Sequence, residues 1–191
     1  EPTVSQTRER LLRAALELFA RSGFHAIGLD AIIDAAGVSK QTLYNHFESK
    51  DDLVLATLQM RRDTEQRLFA RLFGELAGSD PRAQLYANID VIQAWFAQAE
   101  WHGCICIKAA SEFPLPTDPV HQFAKAWFEE NRRQQEHLAT LAGARDPLKL
   151  SVQIMTIVEG VINVRHITGS DSGVACHAAS DALGRHLFAD L

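Results

Sequence analysis

Between Ser39 and Asn45 the chain reads SKQTLYN, a run crowded with hydroxyl and amide groups. In a helix turning ~100° per residue, Leu43 and Phe47 fall on one side, with Gln41 and Asn45 opposite and Thr42 beside them. Tyr44 and His46 then stand on the two flanks. Amides and hydroxyls in an outward row match the hydrogen-bond donors and acceptors displayed by base edges in the major groove.

The neighbouring residues say how such a row would be held. Leu29, Ile32, Ile33 and Ala36 give a short helix an apolar face. Gly37 permits a tight reversal, Val38 plugs it, and Ser39 can cap the next helix through a freed backbone N–H. Ser49 with Asp52 three residues later reads as a capping box opening a further helix. Two short helices across a glycine turn make a helix-turn-helix. A solvated corner of a helical bundle has the same outline, although Tyr44 and His46 are poor choices for solvation alone.

A second set of chemically capable groups lies in the middle of the chain. Trp95, Trp101, Phe123 and Trp127 supply aromatic bulk, and GCICIKAASEF places Cys104, Lys108 and Glu112 along one helical face. Gln153, Glu159, Asn163 and His166 interrupt a largely apolar segment further on. Ionisable groups converging on an aromatic-lined space are what a small-molecule pocket needs, although such aromatics also fill ordinary cores. Alternate helical residues diverge, so Cys104 and Cys106 cannot both join His102 on one metal ion unless that segment is extended, and no metal or cofactor is expected.

Along the whole chain the punctuation is helical. Asp80-Pro81, Asp118-Pro119 and Asp146-Pro147 read as N-caps followed by proline at the first helical position. Gly23, Gly37, Gly78, Gly143 and Gly169 fall at helix ends as left-handed residues. No stretch alternates with period two, so the fold class expected is all-α. About nine helices are predicted: 5–22, 29–36, 40–46, 50–77, 81–99, 103–112, 119–142, 147–168 and 173–189. The 191 residues are 47% hydrophobic and 23% charged, and the formal net charge is −5. No apolar run is expected to approach the ~18 residues of a membrane span, and EPTVSQTRER has no signal-peptide pattern. Three unpaired-looking cysteines fit a cytoplasmic protein.

The run FARSGFHAIGLDAIIDAAGVSKQTLYNHFESKDDL, residues 19–53, resembles the N-terminal domain of the tetracycline-repressor (TetR) family of bacterial transcription regulators. The shared features are Gly23-Phe24 closing the first helix, the Ala-Gly-Val turn, Thr-Leu-Tyr in the reading helix, Phe47, and Ser-Lys-acid-x-Leu opening the next helix. The resemblance implies residues 1–49 as a DNA-binding domain and 50–191 as a ligand-binding and dimerisation domain. It implies Lys40, Gln41, Thr42 and Asn45 toward the groove, and Thr42, Tyr44, His46 and Lys50 on phosphates, with Ser39 at the helix start. It also implies a homodimer through the last two helices on a palindromic double-stranded operator. A small-molecule effector would displace the helix over 50–77 and release the DNA. Leu29 departs from the family's usual threonine, and Gln41 from the usual small residue.

Charge favours a rival reading. Residues 1–50 hold six basic side chains (Arg8, Arg10, Arg13, Arg21, Lys40, Lys50) against six acidic ones (Glu1, Glu9, Glu17, Asp30, Asp34, Glu48). DNA-binding domains are usually distinctly basic, so a basic arm ahead of Glu1 would make up the deficit. The alternative is a helical ligand- or protein-binding module with little DNA affinity. No phosphate-cradling glycine loop, nucleophile elbow or His-Glu-x-x-His helix points to an enzyme.

Overall fold

The computed structural model describes residues 3–98, 101–169 and 173–184, and among them every regular element is helical. Ten helices follow in chain order: α1 Val4–Ser22, α2 Leu29–Ala36, α3 Lys40–Tyr44, α4 Lys50–Ala77, α5 Pro81–Tyr86, α6 Asn88–Phe96, α7 Ile105–Glu112, α8 Pro119–Leu141, α9 Pro147–Thr168 and α10 Gly173–Ala182. The expected last helix runs on to 189, but residues 185–191 lie outside those described.

The Asp-Pro pairs behave as their chemistry dictates. Asp80 accepts from the Ala83 amide at 3.0 Å and Asp146 from the Lys149 amide at 3.0 Å, while Asp118 accepts from the Val120 amide at 2.8 Å. The single helix expected over 81–99 is instead two. Ala87 ends α5 and opens α6, and Asn88 Nδ2 takes the Leu85 carbonyl at 2.9 Å, drawing it from the helical ladder. Asn88 is buried and exchanges two side-chain hydrogen bonds with Gln135, at 3.1 and 2.9 Å, so its polar cost is met. Helix α7 starts at Ile105 rather than 103, because Gly103 has φ +93° and Cys104 is extended.

Packing divides the chain into two compact units. The first holds Glu1–Glu65 with Cys104–Trp127, and the second holds Gln66–Gly103 with Phe128–Leu191. Leu11, Leu12, Ala15 and Phe19 form one stripe along α1, spaced so that a single helical face is buried. In the first unit they join Phe24, Ile32, Leu43, Phe47, Leu53 and Leu58, each at most 4% exposed. In the second unit α9 buries Leu150, Ile154, Met155, Val158, Val161 and Ile162, and packs with α6 and α10. Contrary to the expectation that no apolar run approaches the length of a membrane span, α9 is long and apolar enough to cross a membrane, a test that a core helix passes equally.

Candidate nucleic-acid interface

Helix α2 ends because Gly37 takes the left-handed conformation, φ +60° and ψ +46°, and its N–H bonds the Asp34 carbonyl at 3.1 Å. Val38 N–H reaches back to Ile33 at 3.2 Å, which closes the turn. Ser39 then caps α3, its Oγ accepting from the Thr42 amide at 3.1 Å and lying 2.8 Å from Thr42 Oγ1. Leu43 and Phe47 are fully buried on the inner side of this segment. Their burial turns Lys40, Gln41, Tyr44 and Asn45 outward, all four exposed, with Thr42, His46 and Lys50 half-buried at the edges.

The reading helix is shorter than the expected 40–46. It ends at Tyr44, yet Asn45 keeps helical angles (φ −71°, ψ −18°) and so stays over Gln41. Gln41 Nε2 donates to Asn45 Oδ1 at 3.0 Å, leaving Gln41 Oε1 as an outward acceptor and the Asn45 amide as an outward donor. The Ser39 hydroxyl is engaged within the cap, with the Thr42 amide and the Thr42 hydroxyl. Lys40 stands 3.9 Å from Asp30, an exposed pair of little energetic weight that still offsets some positive potential. Ser49 Oγ accepts from Asp52 N at 3.1 Å as the capping box predicts, but Asp52 Oδ2 reciprocates to Glu48 N rather than to Ser49.

Several residues that organise this region carried no signal in the sequence. Arg10 Nη2 on α1 donates to the Ala36 carbonyl at 2.6 Å, tying α1 to the turn between α2 and α3. The Arg8 guanidinium lies 5.1 Å from the Phe47 ring centroid, a cation–π contact. Both contacts span more than 25 residues of chain, beyond the reach of local periodicity.

The proposed effector groups fall into both units. In the first, Phe123 and Trp127 meet edge to face at 6.2 Å, and Cys104 is the N-cap residue of α7. Lys108 and Glu112, expected to meet a ligand, are engaged inside the unit instead. Lys108 Nζ donates to the Ala20 carbonyl, and the Glu112 carboxylate accepts from the Phe24 and His25 amides. Burial lowers the Lys108 pKa below the usual ammonium value, opposed by the nearby Glu112 and Cys104.

In the second unit Trp95 and Trp101 meet at 5.8 Å, with the Arg165 guanidinium 5.4 Å from the Trp101 ring. Asn163 Nδ2 bonds the Glu159 carbonyl at 2.8 Å, one turn back along α9. Burial pushes the Glu159 carboxyl up from 4.5 to about 7. Gln153 is half-buried and His166 exposed, and a Cβ at Gly103 would come 2.5 Å from His166 Nδ1. Among the described residues no group of three or more His, Cys, Asp or Glu is arranged to hold a metal ion.

Two short helices, a left-handed glycine between them and an outward amide row define a helix-turn-helix head followed by a helical body. Residues 11–57 match the model of bacterial regulatory proteins of the tetR family. The chain is 53% identical over 58 residues to the HTH-type transcriptional activator FasR of Mycolicibacterium smegmatis, covering 30% of this chain and 26% of that one. It is 42% identical over 132 residues to the regulator RutR of Escherichia coli, covering 66% and 59%. The matches thus span about a quarter of the one relative and under two thirds of the other. Its fold is similar to SCO4454, a TetR-family transcriptional regulator of Streptomyces coelicolor, with TM-score 0.85 and 25% identity over 94% of this chain and 93% of that one. Residues 11–57 thus carry the DNA-binding region of the tetR family, the chain shares the fold of TetR-family regulators, and the relatives named here are regulators rather than enzymes.

Proposed function

We propose that the chain regulates transcription in the bacterial cytoplasm as a homodimer on a palindromic operator, acting as a repressor that a small-molecule effector releases. Residues 1–49 read the DNA, and residues 50–191 dimerise and bind the effector. The observation that carries this reading is the face of α3. Leu43 and Phe47 fill the core behind it, while Gln41 and Asn45 project amides into solvent where a base edge could meet them. Lys40 joins them toward the groove, and Thr42, Tyr44, His46 and Lys50 flank them as phosphate contacts that set register. The relative FasR is an activator, but the match to it is confined to 30% of the chain, so it bears on DNA reading and not on the sign of control.

Dimerisation is supported by the outer side of the second unit. Leu148, Val152, Thr156, Gly160 and Val164 repeat every four residues along α9 and are all exposed. Val174 on α10 is 84% exposed. A ridge of that spacing is the form that packs against a second helix pair. The effector is expected to be mostly apolar with one polar group, met in the second unit by Glu159 on α9, the helix that also bears Gln153, Asn163 and His166. Footprinting on the DNA flanking the chain's own gene tests the function, with a protected inverted repeat as the expected result. The rival, a helical module without DNA affinity, is favoured by the balanced charge of residues 1–50. Retention on random duplex DNA that is lost with added salt decides against it.

A further inference from the structure

Helix α7 grips the corner through which α1 feeds the reading head. The end of a helix leaves carbonyls without partners, and the turn after it leaves amides in the same state. Here both needs are met by two opposite charges four residues apart on one helix, Lys108 and Glu112. Lys108 Nζ donates to the Ala20 carbonyl in the last turn of α1. Glu112 Oε1 and Oε2 accept from the Phe24 amide at 3.0 and 2.8 Å, and Oε2 also accepts from the His25 amide at 2.8 Å. The His25 ring bonds back to the Glu112 carbonyl, Nε2 to O at 2.8 Å, and stacks against Phe113 at 4.7 Å.

The corner is built around that carboxylate. Gly23 has φ +86° and ψ 169°, outside the left-handed helical well expected of a helix-ending glycine. A Cβ there would lie 2.5 Å from Glu112 Oε1. Gly23 is therefore needed for its backbone angles and for the approach of a residue 89 positions later. From His25 the chain runs only to Gly28 before α2 begins, and Arg10 holds the other end of α2 at Ala36. Arg10 on α1 thus ties the far end of α2, and Glu112 on α7 ties the corner that leads into its start.

We infer that Glu112 is a positioning residue for DNA reading: its carboxylate fixes the α1–α2 corner, and through it the orientation of α2 and α3. The inference rests on the DNA-reading function proposed above. Residues 104–127 share one compact unit and one apolar core with the head, so α7 has a firm base from which to hold the corner. Carboxylate-to-amide bonds are charge-assisted and individually stronger than neutral ones, so one residue can set the corner.

The test compares the wild-type chain with Glu112→Gln, and with Glu112→Asp, which keeps the charge but shortens the reach by one methylene. A duplex selected from a random library by the wild type serves as the probe. Both variants should bind it about tenfold more weakly, the equivalent of one charge-assisted hydrogen bond. Amide exchange at Phe24 and His25 should quicken at least as much, with the Leu11 and Leu43 amides still protected. That last readout separates positioning from general loss of stability, which would release all four. A wild type that selects no duplex overturns the DNA-reading function and this role with it. A wild type that binds, beside a folded variant that binds equally well, overturns the role of Glu112 alone. If only one variant folds, it decides the matter by the same comparison.

Discussion

At the scale of single residues, Gln41 and Asn45 act as a linked pair. Each substitution to alanine should cost about 1–3 kcal/mol of base discrimination if its contact is bidentate. Because Gln41 Nε2 bonds Asn45 Oδ1 at 3.0 Å, removing both should cost less than the sum, a coupling that a double-mutant cycle of selected sequences will read directly. Additive losses would mean that the two amides read DNA independently. Lys50→Ala should instead weaken every duplex alike and reduce the salt slope by about one. Glu159 predicts a pH effect on stability. Its folded pKa is raised from 4.5 to about 7, so between those values the folded chain holds a proton that the unfolded chain releases. The contribution of Glu159 to stability is therefore largest below pH 4.5 and is lost as pH rises to about 7, a change of roughly 3 kcal/mol. Glu159→Gln should flatten that slope in thermal unfolding and be the more stable protein at pH 8.

At the scale of elements, the turn between α2 and α3 is a point where one methyl group matters. Gly37 sits at φ +60°, and a Cβ there would approach Arg10 Nη2 to 3.3 Å. Gly37→Ala should cost about 1–2 kcal/mol from the left-handed backbone alone. Urea unfolding should show this as a lower midpoint with an unchanged slope. The helix boundaries tell a related story. Local chemistry placed α2, α4 and α9 at their observed ends, because caps and glycines act within a few residues. It missed the break at Ala87, because the burial of Asn88 against Gln135 lies 47 residues away in sequence.

At the scale of the whole molecule, assembly turns on which side of α9 faces out. Val161 and Ala178 lie one on each of the two helices proposed to form the dimer. They are not equivalent: Val161 is 4% exposed inside the second unit, while Ala178 is exposed on α10. Val152→Glu or Ala178→Glu should give folded monomers by light scattering, with helical circular dichroism retained. Val161→Glu should unfold the second unit instead. Monomeric wild-type protein at micromolar concentration would remove the dimer and the palindromic operator together, since an obligate interface buries ~2,000 Å² or more. Effector control adds a reciprocal test, because DNA must weaken effector binding by the same factor that effector weakens DNA binding. An effector whose affinity is the same with and without operator would exclude that control while leaving DNA binding intact.

The sequence by itself determined the all-helical class, the capped Asp-Pro starts, the glycine turn and the outward row of Gln41 and Asn45. Each depends on residues within one or two helical turns, where hydrogen bonds and side-chain direction follow from spacing. Tertiary structure alone decided what the charged residues of α7 do. Lys108 and Glu112 look free on a helical wheel, and their spacing suits a ligand as well as it suits a structural grip. Only folding brings the Phe24 and His25 amides, 88 and 87 residues earlier, within 3 Å of that carboxylate. An unpaired backbone amide attracts whichever acceptor the fold delivers, and no local pattern records which one that will be.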